Sequence, residues 1–119
     1  MILLVLALGA GGCRKSAEGR LEGHWHGDTA EGVTTEEQRA AAAFALGTEL
    51  DFRSGSVLVK TPNARSTSGF KVVRQDKNTV VVVTDADGPD APQTFVFIDD
   101  NTLQWAISPG KRISFRREK

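Results

Sequence analysis

The sequence predicts a mainly β fold: an antiparallel up-and-down β-barrel of about eight strands with one α-helix after the first strand. From Thr48 onward, apolar and polar residues alternate with a period of two, which is typical of strands with one solvated face. Short turns separate these segments at a spacing of about 8–12 residues, which indicates an antiparallel sandwich or barrel. Barrel closure is favoured because it removes unpaired sheet edges.

Composition limits the remaining possibilities. The chain has 119 residues, enough for a single domain. Its 15 Lys and Arg residues balance 15 Asp and Glu residues, so the net charge is zero and a dedicated nucleic-acid binder is not expected. A single Cys excludes an intrachain disulfide.

The N-terminus carries an apolar run followed by small residues and a cysteine. Residues 1–10 contain no charge, and such a run is too short to span a bilayer as a helix, which takes about 20 residues. It is followed by Ala10, Gly11, Gly12 and Cys13. An apolar run that ends in small residues is typical of a secretory signal.

This segment resembles the lipobox of bacterial lipoproteins, in which a diacylglycerol is attached to the Cys and cleavage makes that Cys the new N-terminus. The resemblance implies a signal peptide over 1–12, a lipidated Cys13 with a polar tether over 13–20, and a folded domain over 21–119. It also implies a membrane-anchored protein of the cell envelope. The outer membrane is favoured because Arg14, rather than Asp, follows the Cys.

The helix is predicted from its ends and its composition. Thr34 and Glu37 form a capping box, an alanine-rich stretch follows, and Gly47 is the expected C-cap. Phe44 and Leu46 are expected to cover an opening of the barrel.

Strand periodicity defines the predicted elements and their inward side chains. The predicted strands are 21–28, 48–53, 56–61, 67–74, 79–84, 93–98, 102–107 and 112–117, with an acidic loop over 85–92. The side chains expected inside are Trp25, Leu50, Phe52, Phe70, Val72, Phe95, Phe97, Leu103, Trp105, Ile113 and Phe115.

The first strand contains Gly23-His24-Trp25, and a helical segment and a run of antiparallel strands follow it. This order resembles the lipocalin-like (calycin) barrels. The resemblance implies that the Trp closes one end of the barrel and that an Arg late in the last strands packs on it. Arg112, Arg116 and Arg117 are the candidates.

Two functions follow from such a barrel. Eight strands enclose a space that side chains can fill or that can hold one small ligand. The first hypothesis is a small apolar ligand bound by Trp25, Phe52, Phe70, Phe97 and Trp105. The alternative is a filled-core barrel that acts as a protein-interaction or structural module in the cell envelope.

Other chemistry is weakly represented. His24 and His26 share one strand face with Glu22 and Asp28, which makes them weak metal-site candidates, but the chain has only two His. The acidic loop lacks the closing Glu of an EF-hand and is predicted to be a hairpin turn. Catalytic motifs are missing from the sequence, so neither an enzyme nor a cofactor is predicted.

Overall fold

The computed structural model describes residues 16–118, which form a closed eight-stranded antiparallel barrel. Each strand pairs with the next one along the chain, and the last strand pairs with the first. The elements are α1 (Ala17–Leu21), β1 (Gly23–Glu31), α2 (Gln38–Leu46), β2 (Glu49–Arg53), β3 (Ser56–Lys60), β4 (Arg65–Asp76), β5 (Thr79–Thr84), β6 (Gly88–Asp99), β7 (Thr102–Ser108) and β8 (Lys111–Arg117). The predicted fold class is confirmed. The predicted signal peptide and Cys13 lie outside the described residues.

Residues 16–20 belong to the folded domain and do not form the predicted tether. The Ser16 hydroxyl accepts a hydrogen bond from the backbone N–H of Gly19 and caps the single turn of α1. Ala17 and Leu21 are four residues apart, so they share one face of this turn, and both are buried. The buried face of α1 therefore joins the chain to the barrel from Ser16 onward.

The predicted capping box at α2 is present. The backbone N–H of Glu37 donates to the Thr34 hydroxyl over 3.2 Å, and the N–H of Thr34 donates to the Glu37 carboxylate over 3.1 Å. With Thr34 as N-cap the helix is predicted to begin at residue 35, but residues 35–37 form a turn and α2 begins at Gln38. At the other end, the backbone N–H of Gly47 donates to carbonyls of the last turn of α2. The local sequence thus predicts the C-terminal end of α2, whereas the capping box closes the turn that precedes the helix.

The prediction that Leu46 covers the barrel is wrong, because this side chain is 58% exposed. The helix instead contacts β1 through Ala45, which is fully buried, while Phe44 is half-buried. The backbones approach so closely that a Cβ on Gly27 would lie 1.8 Å from the carbonyl oxygen of Ala45. A glycine facing an alanine permits this contact. Because Ala45 faces β1, the next residue, Leu46, points toward solvent.

The inward-facing side chains match the prediction. Nine of the eleven are buried, and Val72 and Trp105 are partly buried against the same cluster. The predicted acidic loop over 85–92 is shorter than expected, because β6 already begins at Gly88 and pairs with Thr84 of β5. The predicted residues form most of the barrel interior, which is completed by three valines that the prediction did not place inside: Val57, Val80 and Val82.

A candidate ligand site at the mouth of the barrel

The two ends of the barrel differ. We call the end that carries α1 and the turns at 54–55, 77–78 and 100–101 the closed end. We call the end that carries α2 and the turns at 61–64, 85–87 and 109–110 the mouth. The two ends have different packing and different chemistry.

Trp25 seals the closed end and is fully buried. Its indole N–H donates to the carbonyl oxygen of Leu21 over 2.8 Å, and the guanidinium of Arg117 lies 4.2 Å from its ring centroid. Arg117 also donates to the carbonyl oxygens of Arg20 and Glu22. Of the three arginines that the sequence left open, Arg117 is the one that packs on this Trp.

A second arginine completes the packing at this end. The guanidinium of Arg20 lies 4.1 Å from the ring centroid of Phe97 and donates to the carbonyl oxygen of Lys77. The rings of Phe97 and Trp25 are 6.2 Å apart. Phe97 and Trp25, both predicted to bind ligand, therefore lie in the filled half of the barrel.

The mouth contains a cavity of about 180 Å³, which we call the mouth cavity. It is lined by Leu50, Phe52, Val57, Val59, Ser66, Ser68, Val82, Thr84, Ala86, Asp87, Gln93, Phe95 and Trp105. Of the predicted ligand-binding residues, Phe52 and Trp105 line it. Phe70 lies outside the lining and packs edge-on against Phe52, with ring centroids 5.2 Å apart.

Polar side chains occupy one wall of the mouth cavity, and sequence reasoning missed them. They come from β4, from the end of β5, from the turn that follows it and from β6: Ser66, Ser68, Thr84, Asp87 and Gln93. The opposite wall, from β2, β3 and β7, is apolar. The spacing of the two serines could have indicated this polar wall, because Ser66 and Ser68 are in phase with the inward-facing Phe70.

Trp105 is held in a fixed position in the lining. Its indole N–H donates to the side-chain oxygen of Gln93 over 2.8 Å. Its ring stacks on Phe95, with centroids 5.8 Å apart and planes inclined by 24°. Because the indole N–H and the ring face both have partners, this aromatic wall is preorganised without a ligand.

His24 and His26 lie on the outer face of the barrel, on either side of Glu49. The Nε2 of His24 is 2.8 Å from Oε1 of Glu49, and Nδ1 of His26 is 3.8 Å from Oε2. The hydrogen bond from His24 holds the pKa of Glu49 below its ordinary value. Within residues 16–118, no three His, Cys, Asp or Glu side chains are grouped so that they could hold a metal ion.

A second depression lies beside α2, and we call it the helix groove. Its volume is about 430 Å³ and its walls are mostly apolar. Lys111 and Glu37 form an ion pair at its edge over 3.3 Å, and Ile107 of β7 is 45% exposed in it. The helix groove is thus an open apolar surface, unlike the mouth cavity inside the barrel.

Comparison with protein-family models, curated proteins and solved structures found no match to this chain. Among residues 16–118, neither α1 nor α2 has the length and apolar character that a membrane-crossing helix needs.

Proposed function

We propose that this chain is a lipid-anchored bacterial envelope protein whose lipocalin-like barrel binds one small apolar ligand without catalysis. The observation that carries the binding role is the mouth cavity, which has an apolar wall, a polar wall and a fixed tryptophan. The anchoring role is supported by the lipobox-like segment that ends at Cys13. The outer membrane is the favoured location, because Arg14, rather than Asp, follows Cys13 in the segment that resembles a lipobox.

The volume of the mouth cavity limits the size of this ligand. Drug-sized ligands occupy pockets of roughly 300–1,000 Å³, whereas an apolar cavity of about 150 Å³ accepts benzene. A cavity of about 180 Å³ suits a compact molecule with a single ring or a short branched chain. A complete long acyl chain is too large for it.

Fluorine NMR of a ring-sized probe tests ligand binding. The full chain is held in lipid nanodiscs, 4-fluorobenzyl alcohol is titrated, and empty nanodiscs provide the blank. We expect saturable broadening of the probe signal, lost in Val59→Phe, which fills the mouth cavity. Val73→Phe is the matched control, because Val73 is exposed on the outer face of the barrel. A signal equal to the blank, or binding that Val59→Phe leaves intact, rejects the mouth cavity as the site.

Metabolic labelling with an alkyne fatty acid tests the anchor. We expect the wild-type chain to take up the label and sediment with membranes, and Cys13→Ser to lose both properties. Unlabelled wild-type chain, or a Cys13→Ser variant that still sediments, argues against lipidation.

The helix groove favours the alternative, a protein-interaction module. The groove is lined mainly by apolar side chains and includes the exposed Ile107, and this is the observation behind the alternative. A photo-crosslinking residue at position 107 should then give one discrete adduct in intact cells, whereas the same residue at position 73 should not. If neither position gives an adduct, the interaction module has no support from this surface.

A further inference from the structure

We infer that the ligand of the mouth cavity carries a hydrogen-bond donor, a hydroxyl or an ammonium group, and not a carboxylate. This inference rests on the proposed binding function and specifies its ligand class. The only charged side chain in the cavity lining is Asp87, in the turn between β5 and β6. An ionised carboxylate can only accept hydrogen bonds, so it favours a donor on the ligand and disfavours an anion.

The other polar groups of this wall are already used within the protein. Gln93 accepts from Trp105 and donates to the carbonyl oxygen of Ala91. The Ser68 hydroxyl accepts from the N–H of Ala86, and Thr84 accepts from the N–H of Asp87. Three of the five polar side chains therefore maintain the shape of the wall.

The Asp87 carboxylate and the Ser66 hydroxyl differ from these three groups. In the part of the chain that the structure describes, neither has an ion pair or a side-chain hydrogen bond, although both line the mouth cavity. By contrast, Lys60 and Arg65 at the neighbouring strand ends are absent from the lining. A ligand in the cavity therefore meets a free carboxylate and a free hydroxyl, but no cation.

Three ring compounds of similar size distinguish a cationic, a neutral and an anionic ligand: benzylamine, benzyl alcohol and benzoate. Each competes with 4-fluorobenzyl alcohol for the full chain in nanodiscs at low ionic strength. Because Asp87 is exposed to solvent, we expect benzylamine to bind about fivefold more tightly than benzoate, the range of an exposed ion pair. Added salt should shrink this preference.

The variant Asp87→Asn removes the charge and leaves the backbone N–H that bonds to Thr84. It should abolish the preference between the amine and the acid. Asp90→Asn is the matched control, because Asp90 is exposed on the adjacent strand β6 and does not line the cavity. Equal or tighter binding of benzoate, or a preference that survives Asp87→Asn, overturns the inference. If no probe binds at all, it is the proposed function that fails.

The docking of α1 is a separate observation that bears on the orientation of the barrel at a membrane. Ala17 and Leu21 are buried, and Arg117 donates to the carbonyl oxygen of Arg20. The chain is thus fixed to the closed end from Ser16 onward.

Three peptide units separate Cys13 from Ser16, so their Cα atoms are at most about 11 Å apart. We infer that the closed end faces the bilayer and the mouth faces away from it, which rests on lipidation of Cys13.

Depth-dependent quenching tests this orientation. Asp100→Cys at the closed end and Asn63→Cys at the mouth are labelled with bimane in the full chain, reconstituted in vesicles with headgroup-quencher lipids. We expect loss of fluorescence at position 100 and none at position 63. Quenching at both positions, or at position 63 alone, overturns the orientation. Failure of lipidation is visible separately, because the wild-type chain would then take bimane at its own Cys13.

Discussion

Arg117 and Trp25 are direct neighbours across the β1–β8 pairing that closes the barrel, and the guanidinium of Arg117 covers the indole ring at 4.2 Å. The same guanidinium donates to three backbone carbonyls, those of Arg20, Glu22 and Asp100. One side chain therefore connects β8 to the inner tryptophan, to α1 and to the turn between β6 and β7. Partial burial lowers the pKa of this guanidinium, because removal from water disfavours its charged form.

Replacing Arg117 with Ala should lower the free energy of unfolding by about 2–4 kcal/mol, because a cation–π contact and three charged hydrogen bonds are lost. The matched control is Arg116→Ala, whose side chain is 74% exposed and pairs with Asp28. This control should cost about 0.5 kcal/mol or less. Urea unfolding followed by tryptophan fluorescence measures both. Equal losses in the two variants would show that Arg117 has no special role.

The filled half of the barrel predicts a large effect at Phe97. This side chain is 2% exposed and contacts both Trp25 and Arg20. Phe97→Ala should therefore lower the free energy of unfolding by about 3–5 kcal/mol. The neighbouring Ile98 is 54% exposed, and Ile98→Ala should stay within about 0.5 kcal/mol. Chemical denaturation measures the free energy of unfolding of both variants. A small decrease for Phe97→Ala would mean that the closed end is loosely packed.

The close approach of α2 to β1 predicts that Gly27 cannot accept a side chain. A Cβ at this position would lie 1.8 Å from the backbone oxygen of Ala45, so α2 must shift away from the barrel. Gly27→Ala should cost about 3 kcal/mol. Gly69→Ala is the control, since its Cβ would come too close only to the exposed carboxylate of Asp85, which can move, and would lie at an ordinary contact distance of 3.8 Å from the backbone oxygen of Gly55. Thermal unfolding of the two variants tests this, and similar midpoints would contradict the contact.

The strand order follows from features that are local in sequence. Phe95 and Phe97 alternate with smaller or polar residues, so the inward face of β6 can be read from the sequence. The four valines of β5 do not alternate, and their inward face is defined only by the fold. Arg117 could not be chosen from the sequence, because the choice depends on the register between β1 and β8. That register joins residues 92 positions apart, Trp25 and Arg117, and no local pattern encodes it.

Helix α1 and the mouth cavity were beyond the reach of sequence patterns for a related reason. The segment that contains α1 is mostly polar, and Leu21 is its only large apolar residue, so its helical turn depends on burial against the barrel. The mouth cavity arises because Ser66 and Ser68 take inward positions that larger side chains would fill. Its volume depends on side chains from six strands together, which the spacing within any one strand does not reveal.

Acid should weaken the fold through Glu49. The hydrogen bond from His24, together with the nearby charge of Lys60, holds the pKa of Glu49 below its ordinary value of 4.5 in the folded chain. The unfolded chain therefore binds a proton at Glu49 more readily. The stabilisation is fully present above pH 4.5 and is lost as the pH falls through the lower folded-state pKa.

Glu49→Gln removes this titration, so its unfolding free energy should fall less steeply between pH 5 and 3. Asp90→Asn makes the same change in net charge on an exposed residue without that hydrogen bond, and it should follow the wild-type curve. Parallel curves for Glu49→Gln and the wild type would show that the bond between His24 and Glu49 does not stabilise the folded chain.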